Sequence, residues 1–452
     1  MEENKGGAEM YSKEFETIFA YAKDKTDDIE ILLSAGNSFS VKINEQNVES
    51  FNYADSKGIG VRIITGGKVG YAYTEKFDEE TFKRIVDEAI ENAKYTEDDD
   101  LVIMENYPEN KDCPNVYSKE LDKVDVSDKI QLAKDLEKYA KQADERVFNV
   151  PYAMYADGKS YSRIANSKGL DREDTQNYAY SYVGVLSAEK DDKRMGMDFL
   201  ITRDFSKFDP KKMAEVSVKK STDLLNGLPV NSGKYPVVFN NEMMATMLAT
   251  FSSIFNAKSV QEGRSLLKGK IGQKIADDKV TIVDDSLHPE GFSTSAFDSE
   301  GYPTEKTVLI EKGILKTYLH NTITARKDGV RSTGNAARGY KGTLGISTSN
   351  FMIEAGEHKE ADLFKKYDSI IEIVSLQGMH SGANAISGDF SLGAQGFLWE
   401  NGKRKHSLKP FTVSGNYLQM LSDVEAIADN FNFDISSNGA SSVLIKELNI
   451  SG

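Results

Sequence analysis

Glycine-centred turn signals punctuate this chain and constrain its fold more than any other feature. Gly66-Gly67, Lys312-Gly313 and Asn401-Gly402 each separate two short β-like runs, and Asn-Gly is among the strongest short-range signals for a two-residue hairpin. A further turn is expected at Ser167-Lys168-Gly169. Runs joined by such turns pair as antiparallel strands, so the chain is predicted to be built mainly on antiparallel sheets.

Helix signals interrupt these strands in the first half of the chain. Five short strand-like runs are expected to form a meander: Ile29 to Ser34, Ser38 to Asn44, Val48 to Ala54, Gly58 to Thr65 and Lys68 to Thr74. Helices are predicted from Met10 to Lys25, after a capping Asp78, from about Ser127, and from Asp209-Pro210, where proline takes the favoured first position. No internal repeat is detectable in the sequence.

A stretch rich in Gly, Pro and Asn, Asn226 to Lys234, predicts a domain boundary. A chain of 452 residues is also too long for one small core. We therefore expect an α+β protein of two domains. Residues 1–229 are predicted to form an antiparallel sheet with long flanking helices, and residues 230–452 a mostly antiparallel, barrel-like β domain.

The charge of the chain argues against a nucleic-acid partner. The formal net charge is −15, whereas nucleic-acid surfaces need clustered Lys and Arg to replace counterions. No apolar run approaches the length of a bilayer span, and Met1 to Met10 lacks the apolar core of a signal peptide. These observations predict a cytoplasmic protein without a nucleic-acid or membrane partner.

Local catalytic and metal-binding motifs are absent from the sequence. The single cysteine, Cys113, excludes an intrachain disulfide and a thiolate zinc cluster. Ser265 to Lys268 has the Ser-x-x-Lys spacing of some acyl enzymes but lacks the accompanying elements, and neither a Gly-x-Ser-x-Gly elbow nor a Walker loop occurs. The histidines are too widely spaced for a local ligand pair; they are His288, His320, His358, His380 and His406.

Several longer segments resemble the TldD/PmbA family, whose members are sometimes described as modulators of DNA gyrase. The most specific is Ser387 to Gly402, which is close to a PmbA-type signature. Shorter segments agree in order and spacing: Gly58 to Arg62 with Gly66-Gly67, Ser332 to Ala336, and Phe411 to Asn416. The resemblance implies a C-terminal metallopeptidase-like domain.

One branch of that family, TldD, carries His-Glu-x-x-x-His on a helix that corresponds here to the segment after Val237. By the resemblance, the motif positions fall on Ala249, Thr250 and Ile254, and the tail Asp429 to Ala440 lacks the cysteine that completes the TldD zinc site. The chain thus resembles the TldE/PmbA branch. Apolar residues at three- and four-residue steps predict one regular helix to Phe255, on which two ligands five residues apart would diverge by about 140°.

The resemblance implies a non-catalytic subunit of a heteromeric zinc metallopeptidase acting on peptides or unfolded proteins. Zinc is then expected in a TldD-like partner and no cofactor in this chain. Candidate peptide or partner contacts are His320, Arg338 and Asp389, although Asp389 is as readily a turn residue. One alternative is a stand-alone homodimer that binds peptides without cleaving them, and another is an enzyme with an unrecognised site.

Overall fold

The computed structural model of the protein describes residues 11–97, 102–110 and 112–452. Met1 to Met10, residues 98–101 and residue 111 lie outside the described residues. The N-terminal half contains one antiparallel sheet in the order β3-β2-β1-β4-β5-β6. Its strands are β1 (Asp28–Asn44), β2 (Asn47–Thr65), β3 (Lys68–Thr74), β4 (Val147–Asn166), β5 (Asp171–Glu189) and β6 (Asp192–Thr202).

Within the described part of the N-terminal half, four helices cover one face of this sheet. They are α1 (Ser12–Ala22), α2 (Glu79–Ala93), α3 (Val126–Ala143) and α4 (Pro210–Thr222). The order α-β-β-β-α therefore occurs twice, and antiparallel pairing of β1 with β4 joins the two units. Each unit has its own apolar core beneath its helices. The sequence shows no internal repeat because the repeat lies in the order of the elements and not in the residues.

Two long strands, β1 and β2, replace four of the five short runs that the sequence predicts, whereas the fifth run, Lys68 to Thr74, is confirmed as β3. β1 pairs with β2 without interruption from Asp28 to Lys42, so Ala35-Gly36-Asn37 is strand and not turn. A Cβ at Gly36 would lie 2.4 Å from the carbonyl oxygen of Lys159 on β4. Glycine here permits close approach of two backbones, which a local pattern cannot distinguish from a chain break.

Other local signals are confirmed. The Asp78 side chain accepts a hydrogen bond from the Thr81 N–H at 2.9 Å and caps α2, and Phe77 packs edge-on against Phe82 with ring centroids 5.8 Å apart. Both central residues of each predicted hairpin turn have positive φ, which type I′ turns require; the φ angles are 56° and 76° at Gly66-Gly67, 45° and 77° at Lys312-Gly313, and 51° and 75° at Asn401-Gly402.

The C-terminal half contains a closed five-stranded barrel. Its strands follow the cyclic order β14-β7-β21-β17-β15, and only the β14–β7 pair is parallel. They are β7 (Gly233–Phe239), β14 (Ser369–Gln377), β15 (Asp389–Glu400), β17 (Phe411–Asn416) and β21 (Val443–Ser451); β16 (Lys403–Ser407) and β18 (Val424–Ile427) pair with β15 and β21. The predicted antiparallel, barrel-like domain is confirmed.

A second sheet, in the order β10-β9-β8-β13-β20-β19, packs beside the barrel. Its strands are β8 (Ile282–Asp285), β9 (Lys306–Glu311), β10 (Ile314–Leu315), β13 (Phe351–Ile353), β19 (Asn432–Phe433) and β20 (Asn438–Ala440), and β11 (Ala336–Ala337) pairs separately with β12 (Gly345–Ile346). The helices are α5 (Asn241–Phe251), α6 (Ala257–Gln261), α7 (Thr322–Asp328), α8 (Glu360–Leu363), α9 (Met379–Gly382) and α10 (Tyr417–Ser422). Among the described residues, no helix combines the length and apolarity of a bilayer span.

A buried ion cluster joins the N-terminal sheet to the C-terminal half. Arg62 on β2 donates to both carboxylate oxygens of Glu30 on β1, at 3.1 and 2.8 Å, and lies 3.3 Å from Glu300. Arg338 donates to Glu30 at 2.7 Å, and Glu300 also accepts from the Thr322 N–H at 2.9 Å. All four charged side chains are shielded from solvent, so each charge depends on its partners.

A half-buried carboxyl on the barrel makes the stability of the protein depend on pH. Glu372 of β14 accepts a hydrogen bond from the Trp399 Nε1–H at 2.8 Å, and burial raises the pKa of Glu372 from 4.5 to about 7. The folded state therefore holds this proton more tightly than the unfolded chain, so its contribution to stability falls as pH rises from about 4.5 to about 7.

Glu372→Gln is expected to stabilise the protein at pH 8 by about 3–4 kcal/mol, because the rise of the Glu372 pKa from 4.5 to about 7 corresponds to ~1.4 kcal/mol per pKa unit, and to have little effect at pH 4. The amide oxygen can still accept from Trp399. Thermal unfolding at both pH values measures the effect, with the exposed Glu357→Gln as the matched control. An equal gain at pH 4 and pH 8 would contradict a titration origin.

Candidate peptide site around helix α5

Helix α5 begins at a strong cap and ends earlier than the sequence predicts. The Asn240 side chain accepts from the Met243 N–H at 2.9 Å, and the buried face of α5 packs between the barrel and the second sheet. The α-helix stops at Phe251, and residues Ser252–Phe255 form a 3₁₀ turn. The expectation of one regular helix to Phe255 was wrong, because the tighter turn also buries Ile254 and Phe255 and so continues the apolar pattern.

This interruption lies between the second and third positions aligned with the TldD motif. Ala249 and Thr250 are half-buried on α5, whereas Ile254 is only 1% exposed and belongs to the central core. The Thr250 hydroxyl donates to the Thr246 carbonyl oxygen at 2.8 Å, a back-bond typical of threonine in helices. A methyl group, a back-bonded hydroxyl and a core isoleucine offer no group that binds zinc or accepts a proton near neutral pH.

The tail Asp429 to Ala440 lies beside α5. The Asn241 side chain donates to the Asn430 carbonyl oxygen at 3.3 Å, and the tail forms the edge strand β19 and its neighbour β20. Asp434 accepts from the backbone N–H groups of Ser436 and Asn438 at 2.7 and 2.8 Å, which closes the turn between these strands. The tail is thus positioned next to the motif helix, but the side chains that it brings there include no thiol.

The described residues do not fit a zinc site at this position. No group of three His, Cys, Asp or Glu side chains among them is arranged to hold a metal ion. Zinc sites in proteins use three or four such ligands, and the three aligned positions supply none.

Two predicted contact residues lie inside the protein. His320 is 2% exposed, its Nδ1 is 3.3 Å from the Thr324 hydroxyl, and burial lowers its pKa. Thr333 donates to the His320 carbonyl oxygen at 3.2 Å, so the Ser332 to Ala336 segment wraps this residue. Arg338 belongs to the buried ion cluster with Glu30. Neither side chain faces solvent, so neither is available to a peptide in this conformation.

Asp389, the third predicted contact, is exposed at the start of β15. It accepts from the Asn416 side chain at 2.9 Å, and hydrogen bonds from Asn416 and Ser387 lower the pKa of this carboxyl. Asn416 in turn caps α10, because its side-chain oxygen accepts from the Leu418 N–H at 3.2 Å. Asp389 therefore ties two signature segments together at the surface, and a peptide contact there stays a prediction.

An open pocket of about 380 Å³ lies near the first turn of α5, between the two halves of the chain. Phe199 and Phe433, two of its lining residues, also line a small cleft against Asn241, Glu242 and Ala245. Arg203, at the end of β6, is its most buried cationic group. Arg203 was not predictable from the sequence, since a single arginine after a strand forms no recognisable motif.

Three family models together match most of the chain. Domain 1 of the PmbA/TldA metallopeptidases matches residues 29–93, their central domain residues 119–225, and their C-terminal domain residues 232–452. The chain belongs to the PmbA/TldD family. The domain 1 model covers the first α-β-β-β-α unit apart from α1, the central-domain model covers the second unit, and the C-terminal model covers the barrel and second sheet.

Relatives in the PmbA/TldD family align over nearly their whole lengths. A protein from Methanocaldococcus jannaschii is 30% identical, covering 92% of this chain and 95% of its own. A metalloprotease PmbA homologue of Haemophilus influenzae is 25% identical over 94% and 92%. A solved structure from Thermotoga maritima, described as a candidate modulator of a DNA gyrase, superposes with a TM-score of 0.91 at 29% identity over 98% of this chain and 100% of that one.

TldE from Thermococcus kodakarensis shares the fold, with a TM-score of 0.87 at 24% identity over 97% of this chain and all of that one. Together the comparisons establish a PmbA/TldD-type architecture.

We expect this PmbA/TldD family member to purify without stoichiometric zinc. Ala249, Thr250 and Ile254 offer no ligand, and a metal would need donors from elsewhere. Elemental analysis of tag-free protein, after mild chelation and dialysis, measures the content. About one zinc per chain that survives the chelator would contradict the expectation.

Proposed function

We propose that this chain is the non-catalytic, TldE/PmbA-type subunit of a heteromeric zinc metallopeptidase acting on peptides or unfolded proteins. A TldD-like partner would supply the zinc ligands and the general base. The observation that carries this proposal is the chemistry at α5, where a methyl, a back-bonded hydroxyl and a core isoleucine occupy the motif positions. The fold of the metallopeptidase domain is kept around them.

The proposed role for this chain is to complete the enclosure in which the partner cleaves peptides. Two features support it: the open pocket beside α5, and the outer strands β6 and β19, whose outer edges have no strand partner within the described residues. Exposed sheet edges bind extended peptides through main-chain hydrogen bonds.

The test compares hydrolysis of a fluorogenic peptide by this chain alone, a TldD-like partner alone and the mixture, all with zinc. Turnover that requires the partner, rises on addition of this chain and stops with chelator supports the proposal. Zinc-dependent turnover by this chain alone would overturn it and favour an unrecognised active site.

A stand-alone peptide-binding homodimer is the second candidate, and the same pocket favours it. Co-purification from the source cell separates the two proposals. A TldD-like protein that elutes with this chain supports the heteromeric peptidase, whereas a dimer of this chain alone that binds peptide supports the second candidate.

A further inference from the structure

Arg203 differs from every other arginine of the chain. Each of the others lies within ion-pair distance of a carboxylate, from the buried Arg62 to the exposed Arg264. Among the described residues no carboxylate pairs with Arg203. In a chain of net charge −15, which has an excess of acidic groups, a half-buried arginine without one is exceptional.

Neutral groups hold the Arg203 side chain in place. Its Nε donates to the Val116 carbonyl oxygen at 2.9 Å, and its Nη2 to the Gly291 carbonyl oxygen at 2.9 Å. The guanidinium carbon lies 4.9 Å from the centroid of the Phe292 ring. Within the described residues Nη1 has no hydrogen-bond partner, and burial lowers the pKa of Arg203 because no anion compensates. The cation is therefore oriented by the protein but not neutralised.

The surface next to this cation is aromatic. Phe199, Phe292, Phe431 and Phe433 line the pocket, and the last two form an edge-to-face pair with centroids 5.1 Å apart. A volume of about 380 Å³ falls at the lower end of typical ligand pockets, roughly 300–1,000 Å³. The pocket thus offers an apolar wall beside one fixed positive charge.

The charges at the rim favour a ligand with a single negative charge. Lys207 adds a second cation, while Asp204 and Glu290 place two carboxylates nearby. The Asp204 carboxylate accepts hydrogen bonds from the Ser206 N–H and hydroxyl, at 3.0 and 2.7 Å. A phosphate dianion would be repelled more strongly by these carboxylates. A ligand carboxylate next to an apolar group could instead pair with Arg203 and pack against the phenylalanines.

We propose that this pocket binds the C-terminal end of a peptide, with Arg203 receiving the terminal carboxylate and the phenylalanines receiving an apolar last side chain. The inference rests on the proposed peptide-handling function and names the part of the peptide that this subunit holds. The preceding peptide residues would run toward α5 along the outer edges of β6 and β19.

Binding of a fluorescein-labelled peptide, Gly-Ser-Gly-Ala-Leu, tests this inference by anisotropy with the isolated chain. The free acid is expected to bind about 10-fold more tightly than the C-terminal amide, since charge-assisted hydrogen bonds are about twice as strong as neutral ones. In Arg203→Met the acid is expected to bind as weakly as the amide. Arg264→Met, which removes an exposed, ion-paired arginine, should leave the preference unchanged.

Equal binding of acid and amide by the wild type would overturn the inference, and that comparison needs no variant to fold. An unchanged acid preference in a folded Arg203→Met would overturn it as well. Because the isolated chain is used, these outcomes are separate from the hydrolysis test. Tighter binding of the acid than of the amide, together with zinc-dependent turnover by this chain alone, would support carboxylate binding in the pocket and would overturn the proposed non-catalytic role.

Discussion

Phe251→Ala is expected to lower the free energy of unfolding by about 3–5 kcal/mol, the usual range for removing a buried phenylalanine. Phe251 is fully buried at the last residue of α5. Its ring stacks on Tyr417 with centroids 4.3 Å apart and meets Phe390 edge-on at 6.4 Å. The substitution therefore leaves a cavity where α5, β15 and α10 meet.

Chemical denaturation followed by circular dichroism measures this loss. Phe148→Ala is the matched control, since that ring is 53% exposed and lies on the opposite half of the chain. We expect the control to unfold close to the wild type. Similar losses for the two variants would show that the junction at Phe251 contributes no more than a surface ring.

Arg62→Met is expected to destabilise the protein by about 3–5 kcal/mol, because it leaves the buried carboxylates of Glu30 and Glu300 without their shared cation. Arg338 still contacts Glu30, but among the described side chains Glu300 then keeps only its hydrogen bonds with Thr322. We therefore also expect faster amide hydrogen exchange at Thr322, where the two halves of the chain meet.

Arg84→Met provides the control for this prediction, since Arg84 forms an exposed pair with Glu88 one helical turn away on α2. Exposed pairs of this kind contribute little to stability. The midpoint of thermal unfolding should stay near that of the wild type. A stable Arg62→Met with an unchanged Thr322 amide would show that the cluster does not hold the two halves together.

Local chemistry was predictable from the sequence wherever neighbouring residues determine the structure. Asp78 caps α2, and Asn401-Gly402 turns between β15 and β16, because the residues that matter are adjacent in the chain. Prediction from neighbouring residues failed at Gly36, because glycine is required there by the close approach of the β4 backbone, more than a hundred residues away in the chain. It also failed at Phe251, because Ile254 and Phe255 beyond the break are still apolar and buried.

The candidate site was predictable in part. The resemblance selected Ala249, Thr250 and Ile254, and the residue types alone exclude zinc ligation there. Exposure was not predictable: His320 and Arg338 have polar side chains in polar segments, and only tertiary packing places them inside. Arg203 was not predictable for a different reason. It is distinctive because no described carboxylate pairs with it, and only the folded structure shows which side chains surround it.

The doubled α-β-β-β-α order has a consequence for how the protein is made. The hairpins β1–β2 and β2–β3 close within one unit, but the β1–β4 ladder from Glu30 to Lys42 must wait for the second unit. Such distant pairings form slowly. During synthesis the first unit therefore emerges with one side of a 17-residue strand open. An unpaired edge is a template for pairing with another chain, so aggregation competes with folding until β4 has been synthesised and pairs with β1.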